Sequence, residues 1–133
     1  MKVSLVMPTI NVTTELELFL KSLKTQTYRD FELIVVDQNE GNEVFEIVKN
    51  YEEEFKIKYA KSDEKGLSLN RNRGLVLMEG EIVGFPDDDC EYQPDTLEKV
   101  VAFFEKKKDY RIYSCRTLER GKTYGTGVME KKD

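Results

Sequence analysis

Residues 31–37 read FELIVVD, a run rich in branched and aromatic side chains that stops at a carboxylate, Asp37. Phe31–Val36 has the composition of a strand, and what lies on either side has a different period. Upstream, Leu16, Phe19, Leu20 and Leu23 fall at i, i+3, i+4 and i+7, with Thr14 and Glu17 spaced as a capping box. Downstream, Val44, Ile47, Val48 and Tyr51 repeat that helical spacing. The alternation extends outward. Further strands are expected at Val3–Met7, Ile57–Tyr59, Ile82–Phe85 and Ile112–Tyr113. A helix carries Leu97, Val100, Val101 and Phe104, with Pro94 near its first turn, and Leu67 to Met78 is helical apart from the weak point at Gly74. Strands alternating with helices make βαβ units with right-handed crossovers. The fold class is α/β, a Rossmann-like, mostly parallel sheet flanked by helices.

Composition narrows the chemistry. The 133 residues hold 21 basic and 26 acidic side chains, a formal charge of -5, and no histidine. Ser-His-Asp triads, Cys-His dyads and histidine-bearing zinc sites are therefore excluded, and acid–base or metal work falls to carboxylates. The acidic balance argues against a nucleic-acid partner. Cys90 and Cys115 are too few for a disulfide framework and suit a reducing compartment. The opening MKVSLVMPTINV has an apolar run too short for a secretory or membrane segment, so the expectation is a soluble, cytoplasmic protein.

A parallel sheet binds ligands in the crevice at the carboxyl ends of its strands. That rule singles out Pro8, Thr9, Ile10 and Asn11; Asp37, Gln38 and Asn39; Ser62, Asp63 and Glu64; and Asp87, Asp88 and Asp89. The last three are consecutive carboxylates directly after Phe85-Pro86, and like charges so close repel unless something offsets them. A hard divalent cation, Mg²⁺ or Mn²⁺, would do so, and such ions complete their shells with water and substrate phosphates. Were the chain extended here, Asp87 and Asp89 would point to one side and Asp88 to the other. The alternative is a solvated turn leading to Pro94. Asp37 is placed either to accept a hydrogen bond from a nucleotide or to serve as a turn or cap. Arg71 and Arg73 suit phosphates or a solvated helix face, Cys90 a small buried residue, and Lys106–Lys108 a helix C-terminus.

The blocks VSLVMPTIN, SLKTQTYRDFELIVVD, GLSLNRNRGL and GEIVGFPDDDCEYQPDTL, in this order from Val3 to Leu97, resemble the inverting glycosyltransferases of family 2. The resemblance implies the A-type glycosyltransferase fold and transfer of a sugar from a nucleotide-sugar donor, a UDP-sugar above all, with Mn²⁺ or Mg²⁺. By position, Pro8, Thr9 and Asn11 fall in the loop beside the base, and Asp37 falls where a carboxylate accepts the base's ring N–H. Arg71 and Asn72 fall on the block near base and phosphate. Asp87, Asp88 and Asp89 fall on the Asp-X-Asp motif, Asp89 and Asp87 as metal ligands and Asp87 and Asp88 toward sugar or ribose hydroxyls. The acceptor implied is a saccharide or glycolipid, at the inner face of the cytoplasmic membrane. Peripheral membrane association and a homo-oligomer, through apolar surface left by a missing half, are consistent with it.

Three departures stand out. Ile10 replaces an aromatic residue, Gln38-Asn39-Glu40 replaces an aspartate and turn, and no carboxylate is singled out as general base. Glu119 and Glu130 are available in 116–133 without a distinguishing feature. The expected organisation is a donor-binding domain, 1–115, then a tail or the start of a missing acceptor-side segment, 116–133. The alternative is a non-catalytic nucleotide-sugar-binding or interaction module of the same fold. A signalling receiver domain or an aspartate-nucleophile phosphatase would need acids after the first strand, where this chain has Pro8-Thr9.

Overall fold

The structure, a computed structural model, describes residues 1–115. In chain order its elements are β1 (Val3–Thr9), α1 (Thr14–Lys24), β2 (Phe31–Asp37), α2 (Glu43–Val48) with a following 3-10 turn (Lys49–Tyr51), β3 (Lys56–Lys61), α3 (Leu67–Leu75), β4 (Ile82–Gly84) and α4 (Thr96–Lys106). The strands form one sheet in the order β3-β2-β1-β4, every pairing parallel. β1 and β2 lie at its centre and are buried along their whole length, which is why their sequences read as continuous apolar runs.

Side chains alternate between the two faces. Leu5, Met7, Leu33 and Val35 meet Leu16, Phe19, Leu20 and Leu23 of α1, Val44 and Val48 of α2, and Leu97 and Val101 of α4 in the larger core. Val6, Ile34 and Val36 form a smaller core on the opposite face with Leu75 and Met78. Gly74 explains how α3 sits there. A Cβ at this position would collide with Val6 Cγ1, so the glycine that weakens the helix also lets it lie close on the sheet.

Pro8 is tolerated inside β1 because β4 pairs only with Val3, Ser4 and Leu5; beyond them that edge of β1 needs no N–H donor for the ladder. At the amino end of the sheet, buried Glu32 accepts from Ser4 Oγ at 2.7 Å and Glu79 N–H at 2.8 Å, with Lys58 Nζ 3.0 Å away. Burial alone would raise the Glu32 pKa, but the hydrogen bonds from Ser4 and Glu79 and the charge of Lys58 hold it below the ordinary value. Gln26 joins the two ends of the larger core. Its Nε2 donates to Ser22 O and Gln93 O, and its Oε1 accepts from Leu97 N–H at 3.1 Å, docking the start of α4 and the loop before it onto α1.

Three expectations require correction. Ile112–Tyr113 is not a strand: Ile112 is two-thirds exposed, and Tyr113 stacks on Phe103 of α4 at 4.9 Å. Tyr113 is captured by the face of α4 rather than by a ladder. The N-cap of α1 is Thr13, one residue earlier than the capping box implied, and it makes no side-chain cap hydrogen bond. The helical period from Val44 to Tyr51 covers two elements, because α2 gives way to the 3-10 turn at Lys49.

Candidate functional site

The carboxyl ends of β1, β2 and β4 converge with the start of α3 on a cleft of about 320 Å³. Pro8, Ile10, Gln38, Lys65, Gly66, Leu67, Pro86, Asp87 and Asp88 line it. Its walls are apolar, one end is acidic, and Lys65 supplies a cation. Of the residues singled out from the sequence, Pro8, Ile10, Gln38, Asp87 and Asp88 reach this cleft; Thr9, Asn11, Asp37, Arg71, Asn72 and Asp89 do not line it.

The loop after β1 is held from both sides. Ile10 N–H donates to Asp88 Oδ2 at 3.3 Å, and Asn11 N–H donates to Asn39 Oδ1 at 2.9 Å. Asn11 itself takes a φ of 61°, a left-handed conformation that asparagine tolerates better than most residues. It lines a second hollow with Asn39 and Glu43, on the α1 and α2 side.

Asp37 is the hub of the loop after β2. It is fully buried, opposite Thr9 in the ladder. Oδ1 accepts from the Asn39 N–H and Nδ2, both at 2.9 Å. Oδ2 accepts from the Tyr59 hydroxyl at 2.5 Å, and Lys61 Nζ lies 3.4 Å away. A carboxylate has about four lone-pair sites, and four donors face this one. Burial raises the Asp37 pKa, yet the Tyr59 and Asn39 hydrogen bonds and the Lys61 charge bring it below the ordinary carboxylate range. Burial and the same contact push the Tyr59 hydroxyl upward. In this arrangement no lone pair of Asp37 is left for the ring N–H of a base. Asn39 was singled out by the strand-end rule, whereas Tyr59 read only as a strand residue.

The aspartate run is a turn, not extended chain, so strand alternation does not sort its side chains. Cys90 N–H donates to Asp87 O at 3.4 Å, and Cys90 Sγ–H to the same oxygen at 3.0 Å. Asp87 and Asp89 are exposed, whereas Asp88 is half-buried against the β1 loop. Arg71 Nη2 stands 3.7 Å from Asp87 Oδ1, and its guanidinium lies over the Phe85 ring at 5.5 Å. Among the described residues its buried Nε has no hydrogen-bond partner, nor has the buried Thr9 Oγ1. Arg73 points elsewhere, to Ser62 Oγ and Glu64. Asn72 is exposed on α3.

Among the described residues no three acidic or thiol side chains converge to hold a metal. The donor set still suits a hard cation that needs one or two carboxylates and takes its other ligands from water and phosphate. A softer metal is disfavoured, because burial pushes the Cys90 thiol up to about 11. The sequence-level candidates Glu119 and Glu130 lie outside the described residues, as does all of 116–133.

Comparison with known proteins places this geometry. The family model "Glycosyl transferase family 2" matches residues 4–130. The chain is 37% identical over 103 residues to the GalNAc(5)-diNAcBac-PP-undecaprenol beta-1,3-glucosyltransferase of Campylobacter jejuni, covering 75% of this chain and 33% of that protein. It is 36% identical over 98 residues to the glycosyltransferase GlyA of Streptococcus pneumoniae, covering 73% and 14%. The chain thus spans a third or less of the length of these two curated relatives. Among solved structures, S. aureus TarS 1-349 in complex with UDP-GlcNAc superposes with a TM-score of 0.77 at 27% identity, over 90% of this chain and 37% of that one. The mannosyltransferase PcManGT of Pyrobaculum calidifontis, in complex with GDP-Man and Mn²⁺, gives 0.71 at 25% identity, over 77% and 32%.

Proposed function

The chain belongs to glycosyl transferase family 2, and from that premise we propose that it is the donor-binding part of a glycosyltransferase that moves a sugar from a UDP-sugar to a hydroxyl of a saccharide or glycolipid acceptor, with inversion. Residues 1–115 are the nucleotide-sugar domain, 116–133 are a tail or the start of an acceptor-side segment, and the general base is supplied from outside this chain. The observation that carries this reading is the cleft at the ends of β1, β2 and β4, apolar along its walls and acidic at one end. A nucleotide-sugar has a flat base at one end, a charged diphosphate in its middle and a sugar at the other end; the base suits the apolar wall, and a divalent cation would join the diphosphate to the carboxylates. The UDP-GlcNAc complex of TarS and the GDP-Man and Mn²⁺ complex of PcManGT support it as relatives in fold. The undecaprenol-linked acceptor named for the Campylobacter relative supports a glycolipid acceptor at the cytoplasmic membrane face.

The residues divide the work by position. Pro8, Thr9 and Asn11 shape the β1 loop along the nucleoside, and Asp37 anchors that loop through Asn39. Arg71 and Asn72 face the phosphates from α3. Asp88 holds the β1 loop and, with Asp87, borders the ribose and sugar. Asp89 and Asp87 would hold Mn²⁺ or Mg²⁺, which when bound supplies Lewis-acid stabilisation of the departing diphosphate.

Thermal unfolding of the chain with UDP, with Mn²⁺, and with both, in wild type and Asp89→Ala, tests the reading. Ligand at about 100 times its dissociation constant adds about 2.7 kcal/mol, several degrees for a domain this size. The expected result is a shift that needs both and is lost in Asp89→Ala. No shift with UDP, GDP or dTDP overturns the donor site.

A further inference from the structure

We propose that Arg73 is a positioning residue: together with Asn70 it braces the segment from Ser62 to Gly66, and through that segment it presents Lys65 to an anionic nucleotide in the cleft. The assignment rests on the donor-site reading above and adds residues that reading leaves unused.

Asn70 and Arg73 stand three residues apart on α3, so their side chains share one side of the helix. Both reach back over the segment that enters α3. Asn70 is fully buried, and its Nδ2 donates to Glu64 O at 3.0 Å and to Gly66 O at 2.8 Å, the carbonyls on either side of Lys65. Arg73 donates through Nη1 to Ser62 Oγ and through Nη2 to Glu64 Oε1 at 2.8 Å, with Asp63 Oδ1 3.6 Å from Nη1. Ser62 Oγ in turn donates to Glu64 O at 2.9 Å. The two ends of the segment are tied to β2 and the residue after it. Ser62 N–H donates to Asp37 O at 2.8 Å, and Gly66 N–H to Gln38 Oε1 at 2.9 Å.

Arg73 does not line the cleft; its guanidinium is spent on the segment. Lys65 is the reverse case. Among the described residues it is the cation lining the cleft, and it makes no ion pair. Its immediate neighbours in the chain, Asp63 and Glu64, are the carboxylates that Arg73 engages. The brace therefore does two things. It fixes the backbone from which the lysine projects, and it occupies the acids that would otherwise compete for the ammonium. Asp87 and Asp88 make the far end of the cleft repel an anion, so a cation held on the α3 side is what such a ligand can use.

The test is a double-mutant cycle on the 133-residue chain, Lys65→Gln against Arg73→Met, read by calorimetric titration with UDP in the presence of Mn²⁺. Arg73→Met keeps an aliphatic stem and removes the fork. Each single variant is expected to weaken UDP by about three- to fivefold, the worth of one partly exposed charge contact. The double variant should bind no more weakly than Lys65→Gln alone, because Arg73 acts through Lys65. Losses that multiply, or a single variant that binds as wild type does, overturn the assignment. Amide hydrogen exchange gives a readout free of nucleotide. Arg73→Met should speed exchange at Ser62 and Gly66 by about tenfold and leave the amides of β1 and β2 unchanged, whereas simple destabilisation speeds them all. Unchanged exchange at Ser62 and Gly66 overturns the brace. Arg73→Lys, which keeps the charge without the fork, takes the place of Arg73→Met in the cycle if that variant does not fold by circular dichroism. A wild type that binds none of UDP, GDP and dTDP overturns the donor-site reading itself and the assignment with it.

Discussion

Tyr59 of β3 donates its hydroxyl to Asp37 Oδ2 of the neighbouring strand at 2.5 Å, closing the ring of donors around a fully buried carboxylate. The contact exists because both side chains lie on the same face of the parallel sheet, Tyr59 two residues short of the position that pairs with Asp37. It holds charge next to the cleft without exposing it, and through Asn39 it reaches the backbone of Asn11 in the β1 loop.

Tyr59→Phe removes that donor and leaves a buried oxygen under-satisfied, which should cost about 1–3 kcal/mol. The pH dependence follows from the lowered Asp37 pKa. A carboxylate whose folded pKa lies below its unfolded value contributes stability above the unfolded value, near 3.9, and loses it as pH falls through the folded one. The gap between wild type and Tyr59→Phe should therefore be widest at neutral pH and narrow below about pH 4. Urea unfolding at a series of pH values measures it; a gap independent of pH would mean that Tyr59 acts by packing alone.

Glu32 makes a contrasting case at the far end of the sheet. Its carboxylate is buried among Ser4, the Glu79 N–H and Lys58. Glu32→Ala leaves the Ser4 hydroxyl and the Glu79 N–H without their acceptor, while Lys58 keeps Leu77 O and Glu79, and should cost about 1–3 kcal/mol. Glu32 also has a lowered pKa, so wild type should lose this contribution as pH drops below about 4.3. Nucleotide affinity measured under conditions where the variant stays folded should be unchanged. A loss of affinity equal to that of a cleft variant would contradict the separation of the two ends.

Gly74→Ala sets helix propensity against packing. In a free helix the change gains about 1 kcal/mol. Here the new methyl meets Val6 Cγ1 and, at 3.3 Å, Val36 Cγ2. Overpacking of about 1–3 kcal/mol should win, lowering Tm by roughly 3–6 °C for each kcal/mol. A raised Tm would show that α3 can move off the sheet freely.

Asn11 occupies left-handed backbone in the loop after β1, beside the second hollow. Asn11→Val should destabilise by about 1–2 kcal/mol, because a branched Cβ clashes there, whereas Asn11→Gly should stay close to wild type. Thermal melts of the two variants side by side decide it. If both lose the same amount, the asparagine side chain rather than the backbone is what matters.

The two periods in the sequence were enough for the architecture. Continuous apolar runs at β1 and β2 and the three-and-four spacing of α1 and α4 are local consequences of burial on two faces or on one. The weaker elements were less legible for equally local reasons. Val44 to Tyr51 keeps one apolar period across a change of helix type, and Ile112-Tyr113 has strand composition, but Tyr113 packs on a helix face and Ile112 is exposed. At the site, Pro8, Ile10, Gln38, Asp87 and Asp88 were legible from the strand-end rule and do line the cleft. Lys65, Gly66 and Leu67 were not singled out, because nothing in a sequence says that the start of α3 folds back over the end of β2.

The sequence by itself determined the class of fold, the acidic strand-end chemistry and the absence of histidine catalysis, because periodicity and composition are properties of neighbours along the chain. Only the tertiary structure decided that Asp37 is enclosed and Gln38 faces the cleft. Adjacent residues at the end of a strand project to opposite faces, and which of them meets a ligand depends on what Tyr59, Lys61 and Gly66 bring from 22 to 28 residues away.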